Sequence, residues 1–111
     1  MASVEECRQA LHDLSARLEA KTAAHDKINL NRTLACRVTD LGTAFHGRLV
    51  EGRLVDIADG DDADAKIALS TTSDDLVALV RGQLDLPRAV ASHRVSLSAS
   101  PFDLLKLRKL L

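Results

Sequence analysis

The sequence predicts an α+β domain of two layers, in which helices cover one face of a mostly antiparallel sheet. Three observations support this fold class. The chain opens with an amphipathic helical pattern, continues with short alternating segments separated by tight turns, and ends with two capped helical segments. Because 111 residues contain no repeat or linker, we expect a single domain over residues 1–111.

The first helix begins with a capping box. Ser3 precedes Glu6 by three residues, so the hydroxyl and the carboxylate can each bind a free backbone amide. Apolar residues then recur at steps of three and four, which places them on one stripe. They are Val4, Cys7, Leu11, Leu14 and Leu18. We expect this helix to end near Thr22–His25.

Five segments have the pattern of strands. They are Thr33–Thr39, Thr43–Val50, Arg53–Ala58, Ala65–Ser70 and Arg94–Ala99. The first three are separated only by Asp40-Leu41-Gly42 and Glu51-Gly52, whose composition favours tight turns. These three strands are therefore expected to form an antiparallel meander.

Two main helices are predicted in the second half of the chain. Thr72 caps the segment Ser73–Arg81, and Ser100-Pro101 opens the segment Pro101–Leu111. A short helical piece, Pro87–Ser92, lies between them. Both main helices carry more leucine and valine than one buried face needs. That surplus must be covered by another layer of the protein, by a partner chain or by an apolar ligand.

The composition argues against several function classes. The net charge is -1 with both signs interspersed, and the chain has two Phe but no Tyr or Trp. Nucleic-acid binding and attraction to an anionic membrane are therefore not expected. No apolar run reaches the length of an integral membrane segment, and the start lacks the features of a signal peptide. Cys7 and Cys36 fit buried apolar positions, which favours free thiols and a cytoplasmic location.

No arrangement of residues for catalysis or metal binding is evident in the sequence. The four histidines are scattered and are expected at the surface. They are His12, His25, His46 and His93. The acidic segment Asp59–Asp64 lacks the glycine at its sixth position and the distant glutamate that a calcium loop needs. We therefore expect no enzymatic activity, no metal and no cofactor, although catalytic groups need be adjacent only in space.

The second half of the sequence resembles the sterol carrier protein type 2 family. The likeness covers Ala63–Leu111 well, whereas the earlier elements match in order only. It is carried by Asp64-Ala65-Lys66-Ile67-Ala68-Leu69, by Ser73-Asp74-Asp75-Leu76-Val77-Ala78-Leu79-Val80-Arg81-Gly82-Gln83-Leu84-Asp85 and by Pro87-Arg88-Ala89-Val90. The family usually has Gly-Lys before its last strand and Gly after it. Here Ser92-His93-Arg94 and Ala99-Ser100 stand at those places.

The resemblance implies a five-stranded sheet covered by helices, with an apolar tunnel for fatty acyl chains or sterol-like lipids and the last helix as a movable cover. The residues expected in the tunnel wall are Phe45, Leu79, Val80, Phe102 and Leu105, all of which equally suit a plain core. Lys106, Arg108 or Arg94 would meet a carboxylate head group at the mouth, or would be solvated surface cations.

Two functions are therefore predicted as alternatives. In the first, the domain binds or transfers an apolar small molecule or lipid without catalysing a reaction. In the second, the same fold has a closed core and uses exposed leucines of its last helix to form a homodimer or to dock on a partner enzyme. An enzyme is a third class, and it would need a polar cleft for which the sequence supplies no residues.

Overall fold

The first helix, α1, runs from Val4 to Ala24 in the computed structural model. The structure describes residues 2–24 and 31–110, and the side chains of residues 2–20 and 31–106. The predicted capping box is present: Glu6 N donates to Ser3 Oγ at 3.0 Å, and Ser3 N donates to the Glu6 carboxylate at 3.2 Å. The helix was expected to end near Thr22–His25, and His25 lies outside the described residues.

Five strands form one sheet. They are β1 (Arg32–Val38), β2 (Thr43–Val50), β3 (Arg53–Asp59), β4 (Ile67–Thr71) and β5 (Ser96–Ser98), in the spatial order β3-β2-β1-β4-β5. β1 and β4 pair in parallel, and the other three pairings are antiparallel. The predicted meander is β1-β2-β3. The predicted fold class, an α+β domain with a five-stranded and mostly antiparallel sheet, is confirmed.

Three further helices follow the sheet in the second half of the chain. They are α2 (Ser73–Val80), α3 (Leu86–Ala91) and α4 (Pro101–Leu110). Their starts follow the predicted caps: Thr72 Oγ1 accepts from Asp75 N, and Ser100 Oγ accepts from Asp103 N at 3.2 Å. Satisfying these free amides fixes where α2 and α4 begin.

β5 is shorter than predicted. The sequence indicated a strand over Arg94–Ala99, yet the amides of Arg94 and Val95 both donate to Ala89 O, at 2.9 and 3.2 Å. They therefore complete the last turn of α3 instead of pairing with β4. His93 adopts a φ of 63° in this turn, a conformation that glycine adopts with less strain.

The outer strand β3 carries a bulge. Its register with β2 shifts between His46 and Arg48, and Asp56 has a φ of 57°. Gly47 makes this close approach feasible, since a Cβ there would lie 3.1 Å from Val55 O. Arg48 and Asp56 form an exposed ion pair across the bulge.

The core lies between one face of the sheet and the helices α1 and α2. Its buried side chains include Cys7, Leu11, Leu18, Val38, Leu49 and Ile67. Leu76 and Val80 of α2 are buried, and Val77 and Leu79 are half-buried. The surplus of apolar residues on α2 is therefore mostly covered within the domain itself. A smaller apolar cluster holds α3, with Leu86, Ala89 and Val95 at its centre.

Ser73, the first residue of α2, connects three parts of the chain. Its side chain is fully buried. Its Oγ accepts from Ala2 N at 3.1 Å and donates to Asp40 Oδ2 at 2.7 Å, while its amide donates to Asp40 Oδ1 at 2.8 Å. The hydrogen bond from the Ser73 hydroxyl is the largest influence on Asp40 and lowers the pKa of its carboxyl below the ordinary value. Ser73 thus joins the start of the chain to the β1–β2 turn.

Replacing Ser73 with alanine is expected to lower the free energy of unfolding by about 1–3 kcal/mol, because the Ala2 amide and the Asp40 carboxylate lose a buried partner. Urea denaturation measures the change. Ser96→Ala, at an exposed position of β5, is the matched control and should change stability by less than about 0.5 kcal/mol. Equal unfolding midpoints for the two variants would contradict the connecting role of Ser73.

Candidate functional site

A small apolar cavity lies between the helices and the sheet. Its volume is about 70 Å³. The lining side chains come from α1, α2, α3 and all five strands, and include Leu14, Leu34, Cys36, Leu79, Val80 and Leu97. Each lining side chain is aliphatic apart from the thiol of Cys36. The Cys36 thiol is a weak donor and the only described group in the wall that could bind water by a hydrogen bond. The cavity is therefore expected to stay dry.

The size of the cavity limits what it holds in this conformation. An engineered protein cavity of about 150 Å³ accommodates one benzene molecule. The present cavity, at about 70 Å³, has less than half that volume. A long acyl chain therefore enters only if the layers that enclose the cavity move apart.

Two of the predicted wall residues lie in this cavity. Leu79 and Val80 contribute to it from the last turn of α2. Phe45 is buried in β2 and instead lines a neighbouring cavity of about 10 Å³. The two cavities share Leu11 and Leu34 among their lining residues, so Phe45 lies one side chain away from the larger space.

The other two predicted wall residues are on the surface. The exposed fractions of Phe102 and Leu105 are 78% and 58%. They are three residues apart on α4, so they share a face, while Asp103 between them is buried. Their role in a ligand wall stays a prediction. The side chains of Leu107 and Leu110 lie outside the described part of the chain.

Several cavity residues were missed as site residues by the sequence reasoning. Leu14 and Leu18 of α1 and Leu34 of β1 all line the cavity. The signal for them was present, because they occupy the predicted inward stripe of the helix and the inward face of the strand. Periodicity identifies that face, but it does not distinguish a cavity wall from a filled core.

A polar groove lies at the start of β1 and the start of α4. It is lined by Asn31, Arg32, Thr33, Lys66, Ser100 and Asp103. Within it, Arg32 Nε donates to Asp103 Oδ2 at 3.1 Å. The sequence reasoning treated Asp103 only as an acid in a first helical turn, where it stabilises the positive end of the helix dipole. Its partner is 71 positions away, so the pair was missed.

The cations predicted at a ligand mouth have different positions. Arg94 pairs with Asp75 of α2, with Nη2 2.6 Å from Oδ1. Lys106 is half-buried on α4, and the side chain of Arg108 lies outside the described residues. Arg94 is therefore paired with a residue that does not line the cavity, and the head-group contact stays a prediction for all three cations.

Both cysteines are free and buried, which agrees with the prediction. Burial raises the pKa of the Cys36 thiol to about 12, with the neighbouring Cys7 adding to the effect. Burial also raises the pKa of Cys7. Among the described side chains, no group of three His, Cys, Asp or Glu could hold a metal ion. Over the same residues, no helix combines the length and apolar character needed to cross a bilayer.

One protein-family model matches this chain. The model of the alkyl sulfatase C-terminal domain matches residues 6–111, almost the whole sequence. The chain therefore belongs to the alkyl sulfatase C-terminal domain family. No curated protein matches it significantly.

Solved structures with the same fold include one alkyl sulfatase and two sterol carrier proteins. The stereoselective inverting sec-alkylsulfatase Pisa1 from Pseudomonas sp. is 25% identical with a TM-score of 0.67, over 88% of this chain and 15% of that protein. Palmitated SCP2L2 from Aedes aegypti is 17% identical with a TM-score of 0.67, over 98% of this chain and 94% of that protein. Sterol carrier protein 2 from the same organism, in complex with palmitate, is 20% identical with a TM-score of 0.66, also over 98% and 94%.

These likenesses confirm the predicted resemblance to the sterol carrier protein type 2 fold. The chain spans only 15% of the length of Pisa1, so the likeness concerns one part of that enzyme. The two mosquito proteins are matched over nearly their whole length, and their low identity supports the fold alone.

The thiol of Cys36 provides a probe of the cavity wall. In a Cys7→Ala variant at pH 8, we expect native Cys36 to react with a thiol reagent at least about a hundredfold more slowly than the urea-unfolded chain, because its raised pKa suppresses the thiolate. Burial, the main cause of the raised pKa, remains in this variant, so the rate should stay low over the pH range in which the protein is folded. Similar native and unfolded rates would show that Cys36 is open to solvent.

Proposed function

We propose that this domain binds the aliphatic chain of an apolar ligand in the cavity between α1, α2 and the sheet. The observation that supports it most is the lining, which is aliphatic throughout except for one thiol. Each methylene moved from water into such a space contributes about 0.8 kcal/mol. An aliphatic chain is therefore held without any specific polar contact.

The relatives support the same ligand class. Two structures of the same fold carry palmitate or are palmitated, and a third belongs to an enzyme named for alkyl sulfates. An alkyl chain is common to these names. In this proposal the domain contributes binding, and no residue of the cavity takes part in a reaction.

Binding a long chain requires the layers that enclose the cavity to move apart, and α4 is the element proposed to close over the widened space. None of its described side chains lines the cavity. Its first turn is held by the Ser100 cap and by the Arg32–Asp103 pair, whereas Phe102 and Leu105 face solvent. When α4 closes, these two side chains change their rotamers to contact the bound chain, and the Arg32–Asp103 pair keeps the first turn in place.

Affinity should rise with ligand chain length. For saturated fatty acids from C8 to C14, each added methylene is expected to tighten binding by up to about fourfold, the factor that corresponds to about 0.8 kcal/mol. Displacement of a fluorescent fatty acid from delipidated protein measures the series. Absence of any uptake by the delipidated protein would eliminate the carrier function.

Leu79→Trp adds a cavity-filling control to this series. An indole at Leu79 occupies the space proposed for the ligand and should weaken binding of every chain at least tenfold. Leu84→Trp is the matched variant, since Leu84 is also a half-buried leucine but does not line the cavity. Equal affinities of the two variants would place the ligand elsewhere.

The second candidate function is an interaction module. It is favoured by the exposure of Phe102 and Leu105, two large apolar side chains on one face of α4. Apolar residues in a contiguous exposed set mark contact surfaces more often than isolated ones do. In this alternative α4 docks on a second copy of the domain or on a partner enzyme, and the cavity stays closed.

The double variant Phe102→Ala, Leu105→Ala separates the two functions. If α4 closes on the ligand, the affinity of this variant for fatty acids falls at least about fivefold, because contacts worth about 1 kcal/mol are removed. Its sedimentation coefficient is then unchanged. If α4 is a dimer contact, the affinity is unchanged and the sedimentation coefficient of a wild-type dimer falls to that of a monomer. Val4→Ala, at a less exposed apolar residue of α1, is the control.

A further inference from the structure

We infer that the polar groove at the start of α4 is a head-group site for an apolar ligand whose head donates a hydrogen bond, such as a long-chain alcohol. This inference rests on the proposed function, since the chain of that ligand would occupy the cavity. The inference concerns the polar head of that ligand, and it assigns recognition of the head to Asp103.

The first observation concerns one oxygen of Asp103. The side chain is about 96% buried, and Oδ2 accepts from Arg32 Nε at 3.1 Å. The other carboxylate oxygen, Oδ1, is buried and receives no hydrogen bond from any described residue. A buried acceptor without a donor is destabilising. A ligand hydroxyl that displaces the packing over Oδ1 supplies this donor, relieves the loss and gains affinity.

The second observation is the position of the groove relative to the cavity. Arg32 is two residues before Leu34 on β1, so both side chains point to the helix-covered face of the sheet. Leu34 lines the cavity and Arg32 lines the groove. Lys66, the residue before β4, also lines the groove, and Ile67, the first residue of β4, lines the cavity. Neighbouring positions at the start of β1 and of β4 therefore line the groove and the apolar cavity.

The charges of the groove decide which head group fits. Oδ1 is an acceptor on a carboxylate that is already paired, so an uncharged hydroxyl suits it and a second carboxylate does not. The hydroxyl donates to Oδ1 of Asp103. The hydroxyl oxygen can in turn accept a hydrogen bond from Lys66 or Arg32. Lys66 is exposed, and the side chain of Arg32 is about half exposed. An ether oxygen accepts in the same way but donates nothing.

Two isomeric ligands test the inference. Dodecan-1-ol and 1-methoxyundecane have the same atoms and nearly the same length, but only the alcohol carries an O–H. Their affinities are measured by displacement of a fluorescent fatty acid from the wild-type protein. We expect the alcohol to bind about tenfold more tightly, the size of one hydrogen bond to a charged group. Equal affinities for the two isomers overturn the head-group site and leave the proposed function standing.

Asp103→Asn tests the assignment to this residue. The amide oxygen retains the bond from Arg32, while the amide NH₂ replaces Oδ1 and turns the acceptor into a donor. The preference for the alcohol should fall from about tenfold to about one. Asp75→Asn is the matched control, because Asp75 is also a first-turn acid paired with an arginine and does not line the groove. It should retain the tenfold preference.

The remaining outcomes are also decisive. If Asp103→Asn keeps the full preference, the hydroxyl binds elsewhere and the inference fails. If neither isomer displaces the probe from the wild-type protein, the proposed function fails together with it. The melting temperature of each variant is measured in parallel, and the comparison of isomers on the wild-type protein stands even if Asp103→Asn does not fold.

Discussion

The apolar layer between α1, α2 and one face of the sheet is the interaction on which the rest of the structure depends. β1 is its centre, because it pairs with β2 on one side and with β4 on the other. Each aliphatic side chain buried there contributes about 1.5–3 kcal/mol. With only two Phe in the chain, this layer is built almost entirely from branched aliphatic residues. The apolar cavity lies within this layer.

The polar side chains that the structure describes lie around that layer, and apart from the Cys36 thiol none of them lines the cavity. Ser73 and Asp40 join the chain start to α2 at one end of β1, and Arg32 and Asp103 join β1 to α4 at the other. The two ends differ in one respect that matters for function. The carboxylate oxygens of Asp40 both receive hydrogen bonds from Ser73, whereas one oxygen of Asp103 receives none. The second end is therefore the one with unused binding capacity.

Local signals in the sequence were sufficient for most elements. The caps at Ser3, Thr72 and Ser100 predicted three helix starts, and alternation predicted β2 to the residue. β5 was predicted too long, because the hydrogen bonds of two amides to Ala89 O are a property of the α3 turn and not of residue alternation. Of the residues predicted for a ligand wall, Leu79 lines the cavity and Phe102 is exposed. The apolar residues of α4 surround that helix in the sequence, so periodicity could not indicate which side of α4 faces outward.

The two edges of the sheet differ from its centre in a way that affects aggregation. The β3 edge is interrupted by a bulge with Asp56 in a left-handed conformation and an ion pair beside it. The β5 edge has three residues, two of them exposed serines. Short, kinked or charged edges offer a poor template to a strand from another molecule. The proposed binding of an aliphatic chain exposes apolar surface while the layers are apart. Short or kinked sheet edges then disfavour pairing with a strand of another molecule.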